Sequence, residues 1–176
     1  MSRCQAHLRR SSIMSLEQPT LHLVCGKIAA GKSTLTSVLE QRPNTVLVKE
    51  DYWLAQLYPG EQNSLADYVR NSTRLRDAMT AHLVGLLRSG LSIVLDFPAN
   101  TPVSRAWMRS LFEQAECAHQ LHFLDVADDV CKARLRKRNA SGMHEFNVSD
   151  EDFALFTKHF VPPASSEGFN VVLHRP

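Results

Sequence analysis

Nine residues near the amino end of the chain, Gly26-Lys27-Ile28-Ala29-Ala30-Gly31-Lys32-Ser33-Thr34, have the spacing GxxxxGK[ST]. Two glycines five apart let a backbone curl until its N–H groups converge on one small anion. The lysine after the second glycine can reach the outer phosphates of a nucleotide, and the hydroxyl of Ser33 can hold Mg²⁺. Thr34 can add a further phosphate contact. Lys27, Ile28, Ala29 and Ala30 form the variable bridge of the cradle, and Lys27 reads as a solvated side chain. The chemistry offered is the binding of a triphosphate tail.

A cradle alone does not say where the phosphate goes. Transfer to a hydroxyl needs a group to accept or orient the proton. The adjacent acids Glu50 and Asp51 follow the apolar run Thr45–Lys49 (TVLVK). Asp51 is the expected base, with Glu50 as its competitor. Tyr52 and Trp53 then either wall a substrate pocket or pack beneath a loop. Asp96 follows Leu91–Leu95 (LSIVL), as a carboxylate that holds Mg²⁺ through water would. Asn100, Thr101 and Arg105 share that edge, where they contact substrate or cap the next helix. The basic run CKARLRKRN places Arg134 and Arg138 four residues apart, on one helical face. Guanidinium groups there suit the charge that builds up during phosphoryl transfer.

The elements that must hold these residues can be read from hydrophobic pattern and punctuation. Thr20–Cys25, Thr45–Lys49, Leu91–Leu95, Leu121–Leu124 and Phe169–Leu173 read as strands. Ser33–Gln41 reads as a helix, as does Ser64–Arg88, with a break expected at Asn71–Thr73. Pro102 opens a helix running to about Ala118, and Asp128–Arg138 and the segment capped by Ser149 follow. Alternating strands and helices make an α/β fold with a largely parallel open sheet. Such sheets bind ligands at the carboxyl ends of their strands, which is where the cradle, Asp51, Asp96 and Asp125 all fall.

Composition bounds the rest. A chain of 176 residues, 44% hydrophobic, is enough for one domain with a real core, expected over 18–176. Residues 1–17, with Arg3, Arg9 and Arg10 but a single acid, Glu17, are expected to be a disordered extension ahead of it. A net charge of +2 argues against nucleic acid as a partner. No apolar run is long enough for a membrane span. Four cysteines without CxxC spacing fit free thiols in a reducing, cytoplasmic setting. The histidines form no HxH or HExxH arrangement, so packing is their expected role.

Taken in order, GKIAAGKST after the first strand, Asp51 after the second, LDFPANT, RLRKRN and the tail FVPPASSEGFNVV resemble the adenylate-kinase-like group of P-loop kinases. More narrowly, the chain is similar to small kinases of the AAA_33 or zeta-toxin-like type, from about Thr20 to Leu173. The resemblance implies a three-layer fold with five strands in the order 2-3-1-4-5, helices on both faces and a small arginine-bearing lid. It implies ATP and Mg²⁺ as cofactors, with transfer of the γ-phosphate to a small-molecule hydroxyl. In such enzymes the acid after the second strand is often the base. The sequence Asp96-Phe97-Pro98-Ala99 departs from the DGFPR of nucleoside-monophosphate kinases, which argues against that activity. Two other readings stay open: a nucleotide-regulated switch that hydrolyses ATP slowly, and a toxin-like kinase of a sugar nucleotide or nucleic acid. GTP is disfavoured because NKxD is absent.

Overall fold

The computed structural model describes residues 18–140 and 149–175. The expected extension over 1–17 lies outside the described residues. Five strands form one sheet: β1 (Thr20–Cys25), β2 (Thr45–Lys49), β3 (Ser92–Pro98), β4 (Ala118–Leu124) and β5 (Val171–His174). All neighbours pair in parallel, in the order β2-β3-β1-β4-β5. Parallel pairing demands crossovers, and the helices supply them. They are α1 (Lys32–Leu39), α2 (Glu50–Leu57), α3 (Leu65–Arg88), α4 (Pro102–Ala115), α5 (Asp128–Ala140) and α6 (Asp150–Lys158).

The period-two alternation of the central strands sorts their side chains between two cores. Leu21, Leu23 and Cys25 of β1 join Ile93, Leu95 and Leu121 under α3 and α4. On the other face, Leu124 packs with Ala30, Cys131, Leu135 and Phe153 beneath α1, α5 and α6. Complete burial of each such leucine is worth about 1.5–3 kcal/mol, so the sheet is a stiff platform for whatever stands at its ends.

Three elements differ from their expected form. Helix α3 runs unbroken through Asn71–Thr73 for 24 residues. Its polar residues find partners without opening the helix: Thr73 bonds back to the Val69 carbonyl, Ser72 donates to Glu50, and Asn71 donates to the Glu61 carbonyl. The stretch after β2 begins as helix α2, not as a loop, because Glu50 is drawn inward by α3. Strand β3 continues past Asp96 to Pro98, because pairing with β1 slips between Leu23 and Val24 and resumes with Pro98. Asp96 therefore sits at an irregularity, in register with Lys49 of β2 but outside the β1 ladder. Among the described residues no helix is long and apolar enough to cross a membrane.

Candidate functional site

The cradle leaves β1 at Gly26 and enters α1 at Lys32. Its first glycine is tightly packed, since a Cβ there would lie 3.1 Å from the Leu124 Cβ and press on that strand. Its second, Gly31, has φ 107°, which favours glycine, and the chain also turns through the left-handed region at Ala29, φ 59°. No side chain caps α1. The first-turn N–H groups of Lys32, Ser33 and Thr34 are thus left for an oxyanion, reinforced by the positive end of the helix. Lys32 curls into the loop, where Nζ donates to the carbonyls of Gly26 and Lys27, both at 2.8 Å. Burial lowers its pKa, with Asp96 the strongest opposing charge. A cation held in a partly desolvated ring of amides fits a polyphosphate.

Asn100 anchors the start of the loop. Its Oδ1 accepts from the Gly26 N–H at 3.0 Å, and its carbonyl accepts from the Val161 N–H. Thr101 is the N-cap of α4, in a reciprocal capping box with Ser104. The capping alternative therefore holds for Thr101, while Asn100 shapes the cradle. Lys27 is not simply solvated: it pairs with Asp128 and lies over the Phe160 ring. Arg134 bridges from α5 to the cradle, donating to the Ala30 carbonyl at 3.0 Å. Arg138 follows one turn later on the same helix, half-buried. The segment after α5, residues 141–148, lies outside the described residues, so of the expected lid only the helix bearing these two arginines is described.

The acids after β2 have opposite surroundings although they are adjacent. Glu50 is fully buried, and its carboxylate accepts from Tyr68 at 2.7 Å, Ser72 at 2.5 Å and Arg76 at 3.2 Å. Asp51 is exposed, and among the described residues its carboxylate has no hydrogen bond or ion pair. Its pKa is raised by partial desolvation, then by the charges of Glu50 and Asp96, with Lys32 opposing. Asp96 is likewise raised by desolvation, with Lys32 opposing. Lys32, Asp51 and Asp96 thus feel one another's charge at the carboxyl edge of the sheet. Thr36, which sequence reasoning passed over, ties this edge together: its hydroxyl reaches the Ser33 carbonyl at 3.2 Å and the Asp96 Oδ2 at 3.4 Å.

Among the described residues no group of three or more histidine, cysteine or carboxylate side chains is arranged to hold a metal ion. A Mg²⁺ ion, which keeps several waters and leans on substrate phosphates, does not need such a cage. The Ser33 hydroxyl and Asp96 fit that pattern of ligands.

Arg105 does not serve as a substrate contact. It is fully buried, donates to the carbonyls of Ala99 and Val161 at 2.9 Å, and forks onto Glu167 at 2.6 and 2.8 Å. It pins the tail onto the LDFPANT segment. Phe156 and Phe160, near the junction of α6 and that tail, join Lys27, Ile28 and Asn100 around a recess of about 20 Å³ beside the cradle. No pattern in the tail FVPPASSEGFNVV indicated its place next to the cradle. Asp125 is paired with Arg175 at 3.2 Å and lies outside the group around Lys32.

The family model of AAA_33, described as an AAA domain, matches residues 21–163. Comparison with curated protein sequences gave no match. Among solved structures, the chain is similar to a protein provisionally called a kinase from Chloroflexus aurantiacus, with TM-score 0.69, 21% identity, and 89% of this chain and 85% of that one covered. It is also similar to the APS kinase CysC of Mycobacterium tuberculosis in complex with AMPPNP and APS, with TM-score 0.59, 18% identity and coverage of 90% and 89%. A sugar kinase from Janibacter sp. superimposes with TM-score 0.59, 15% identity and coverage of 89% and 85%. These likenesses establish a P-loop NTPase-like fold. Because the family model spans the chain from the first strand to the tail, this protein belongs to the AAA_33 family.

Proposed function

We propose that the protein is a kinase that transfers the γ-phosphate of ATP to the hydroxyl of a small-molecule acceptor, with Mg²⁺ as cofactor. The observation that carries this reading is the contrast at the end of β2. Glu50 accepts from three donors, whereas among the described residues Asp51 presents an unliganded carboxylate in the field of Lys32 and Asp96. A nucleotide switch has no use for a free carboxylate there; a transferase needs one to receive a proton.

In this mechanism the loop amides and Lys32 hold the β- and γ-phosphates in place. Ser33 and Asp96 would hold the metal ion, which would neutralise charge on the phosphate oxygens. Asp51 accepts the proton of the acceptor hydroxyl as its oxygen bonds to the γ-phosphorus. The bond between that phosphorus and the β–γ bridging oxygen breaks, and ADP leaves. Arg134, already seated on the cradle backbone, and Arg138 one turn beyond supply positive charge for the transferring group. A raised Asp51 pKa brings the base closer to working pH, which favours both proton acceptance and later release. The test is ADP release from ATP with and without pooled hydroxyl metabolites. Acceptor-dependent release that Asp51→Asn lowers by about 10²-fold or more supports the reading. Turnover indifferent to every acceptor pool overturns it.

A further inference from the structure

A second polar feature lies at the opposite end of the sheet. A cavity of about 330 Å³ opens where the strands begin, lined by Thr20, His22, Arg42, Thr45, Ser92 and Gln120, among others. Thr20, Thr45 and Ser92 are the first residues of β1, β2 and β3, and Ala118, which opens β4, also borders it. Along β1, its innermost lining residue, His22, is four residues from Gly26, or about 13 Å at ~3.3 Å per residue. Its volume falls in the range that holds small molecules, roughly 300–1,000 Å³.

The lining has a definite chemical character. Among the described residues no carboxylate borders the cavity, and Arg42 is the one fixed charge of its lining. Among the described residues the Arg42 side chain has no ion pair or hydrogen bond. Around it stand the Ser92 hydroxyl and the amides of Gln18 and Gln120, which can donate hydrogen bonds, while the hydroxyls of Thr20 and Thr45 donate to the Gln18 and Pro43 carbonyls and offer only lone pairs. The back wall is His22, 2% exposed. Its Nδ1 is bonded to His122 Nε2 at 3.2 Å, and His122 Nδ1 to His174 Nε2 at 3.0 Å, so a row of imidazoles crosses β1, β4 and β5. His22 and His122 are lowered to about 4, chiefly by burial, with Arg42 contributing to both. They are neutral at pH 7, which leaves Arg42 as the positive charge in the described lining of the cavity.

We propose that this amino-edge cavity is a second binding site, for a small polar molecule bearing a carboxylate or phosphate group, with Arg42 as its charge anchor. An unpaired guanidinium presents a planar fork of donors that a two-oxygen anion matches. The hydroxyls and amides would receive the ligand's remaining polar atoms, and His22 would report its arrival. The proposal stands apart from the kinase reading, because none of these residues belongs to the cradle edge.

The test follows the imidazole resonances of the full chain at pH 7 during titration with malonate and, separately, inorganic phosphate. Each series is repeated in Lys32→Ala, so that anion binding at the cradle is removed. The expected result is a saturable shift of His22 with at least one probe, retained in Lys32→Ala. Its midpoint should weaken at least tenfold in Arg42→Gln and severalfold in Ser92→Ala. A response to malonate alone assigns the site to carboxylates, and a response to phosphate alone assigns it to phosphates. The absence of a saturable His22 shift with either probe, or a shift unchanged in Arg42→Gln, overturns the proposal. Arg42 is on the surface, so its replacement should leave the fold intact. The unchanged pattern of the remaining resonances verifies this.

Discussion

Two charged clusters sit within a helical turn of each other, and they treat their charges in opposite ways. On the inner side of α2, Glu50 is completely enclosed and bonded by three α3 side chains. At the sheet edge, Lys32, Asp51 and Asp96 share one field, and Asp51 has no hydrogen bond or ion pair among the described residues. A buried charge surrounded by donors is a structural tie, since its lone pairs are spent. A carboxylate with lone pairs uncommitted, held near a lysine, is available for chemistry. The difference separates the surroundings of two adjacent acids that the sequence left as competitors for one role.

The most severe test of the edge cluster is Lys32→Ala. Removing the cradle's one internal cation should lower phosphoryl transfer by about 10³-fold or more and abolish binding of the triphosphate tail. Calorimetric titration with a non-hydrolysable ATP analogue reads the second effect. Binding as tight as in the wild type would show that the amides alone hold the phosphates. Next in size is Asp51→Asn, with a loss of about 10²–10³ in transfer and ATP affinity nearly unchanged. Glu50→Gln provides the opposing arm. It should retain transfer within a few-fold while the melting temperature falls. If the two variants exchange these phenotypes, the contrast between the clusters is reversed.

The buried ties should show their weight in stability. Arg105→Met removes a guanidinium that is bonded to Glu167 and to the carbonyls of Ala99 and Val161. The orphaned acceptors make a loss of about 3 kcal/mol in urea unfolding the expected outcome. Glu167→Gln should cost about 1 kcal/mol, because that carboxylate is 22% exposed and water can replace part of its role. Equal losses for the two would mean that the Arg105–Glu167 pair, not the carbonyl contacts, fastens the tail.

Much of this was legible in the residues. GxxxxGK[ST] between an apolar strand and a helix gave the cradle its correct place, and the strand order implied by the family resemblance is the one observed. What could not be read required the third dimension. Asn71, Ser72 and Thr73 read as a helix break because three consecutive polar residues interrupt the apolar pattern and nothing local explains why Asn71 and Ser72 are buried; Ser72's partner, Glu50, comes from 22 residues away. Arg105 looked like a ligand contact because its partner, Glu167, lies 62 residues on, in the part of the tail that precedes its strand and has no pattern of its own. Thr36 carried no motif, and its position beneath Asp96 depends on the slip in the β1–β3 register. The row of three histidines likewise follows from the register of β1, β4 and β5, since no spacing in the chain connects His22, His122 and His174.

The smallest expected effect is also the most discriminating, because it opposes the loss of activity. Asp51 and Asp96 have pKa values raised in the folded chain, mainly by desolvation. Their folded forms bind protons more readily than the unfolded chain does. Stability contributed by these groups is therefore greatest at acid pH and declines as pH rises through their unfolded and then their folded pKa values. At neutral pH both carboxylates are ionised at a cost to the fold. Asp51→Asn should then raise the melting temperature at pH 7, by only about 1–2 °C after allowance for its exposure to solvent. The gain should vanish by about pH 3, below the unfolded value, where the wild-type side chain is protonated too. Glu50→Gln, which strips a saturated charge from its donors, should lower the melting temperature at pH 7. A destabilised Asp51→Asn at pH 7 would mean that this carboxylate has a structural partner after all, and the division between the two clusters would fail at the residue on which the catalytic reading depends.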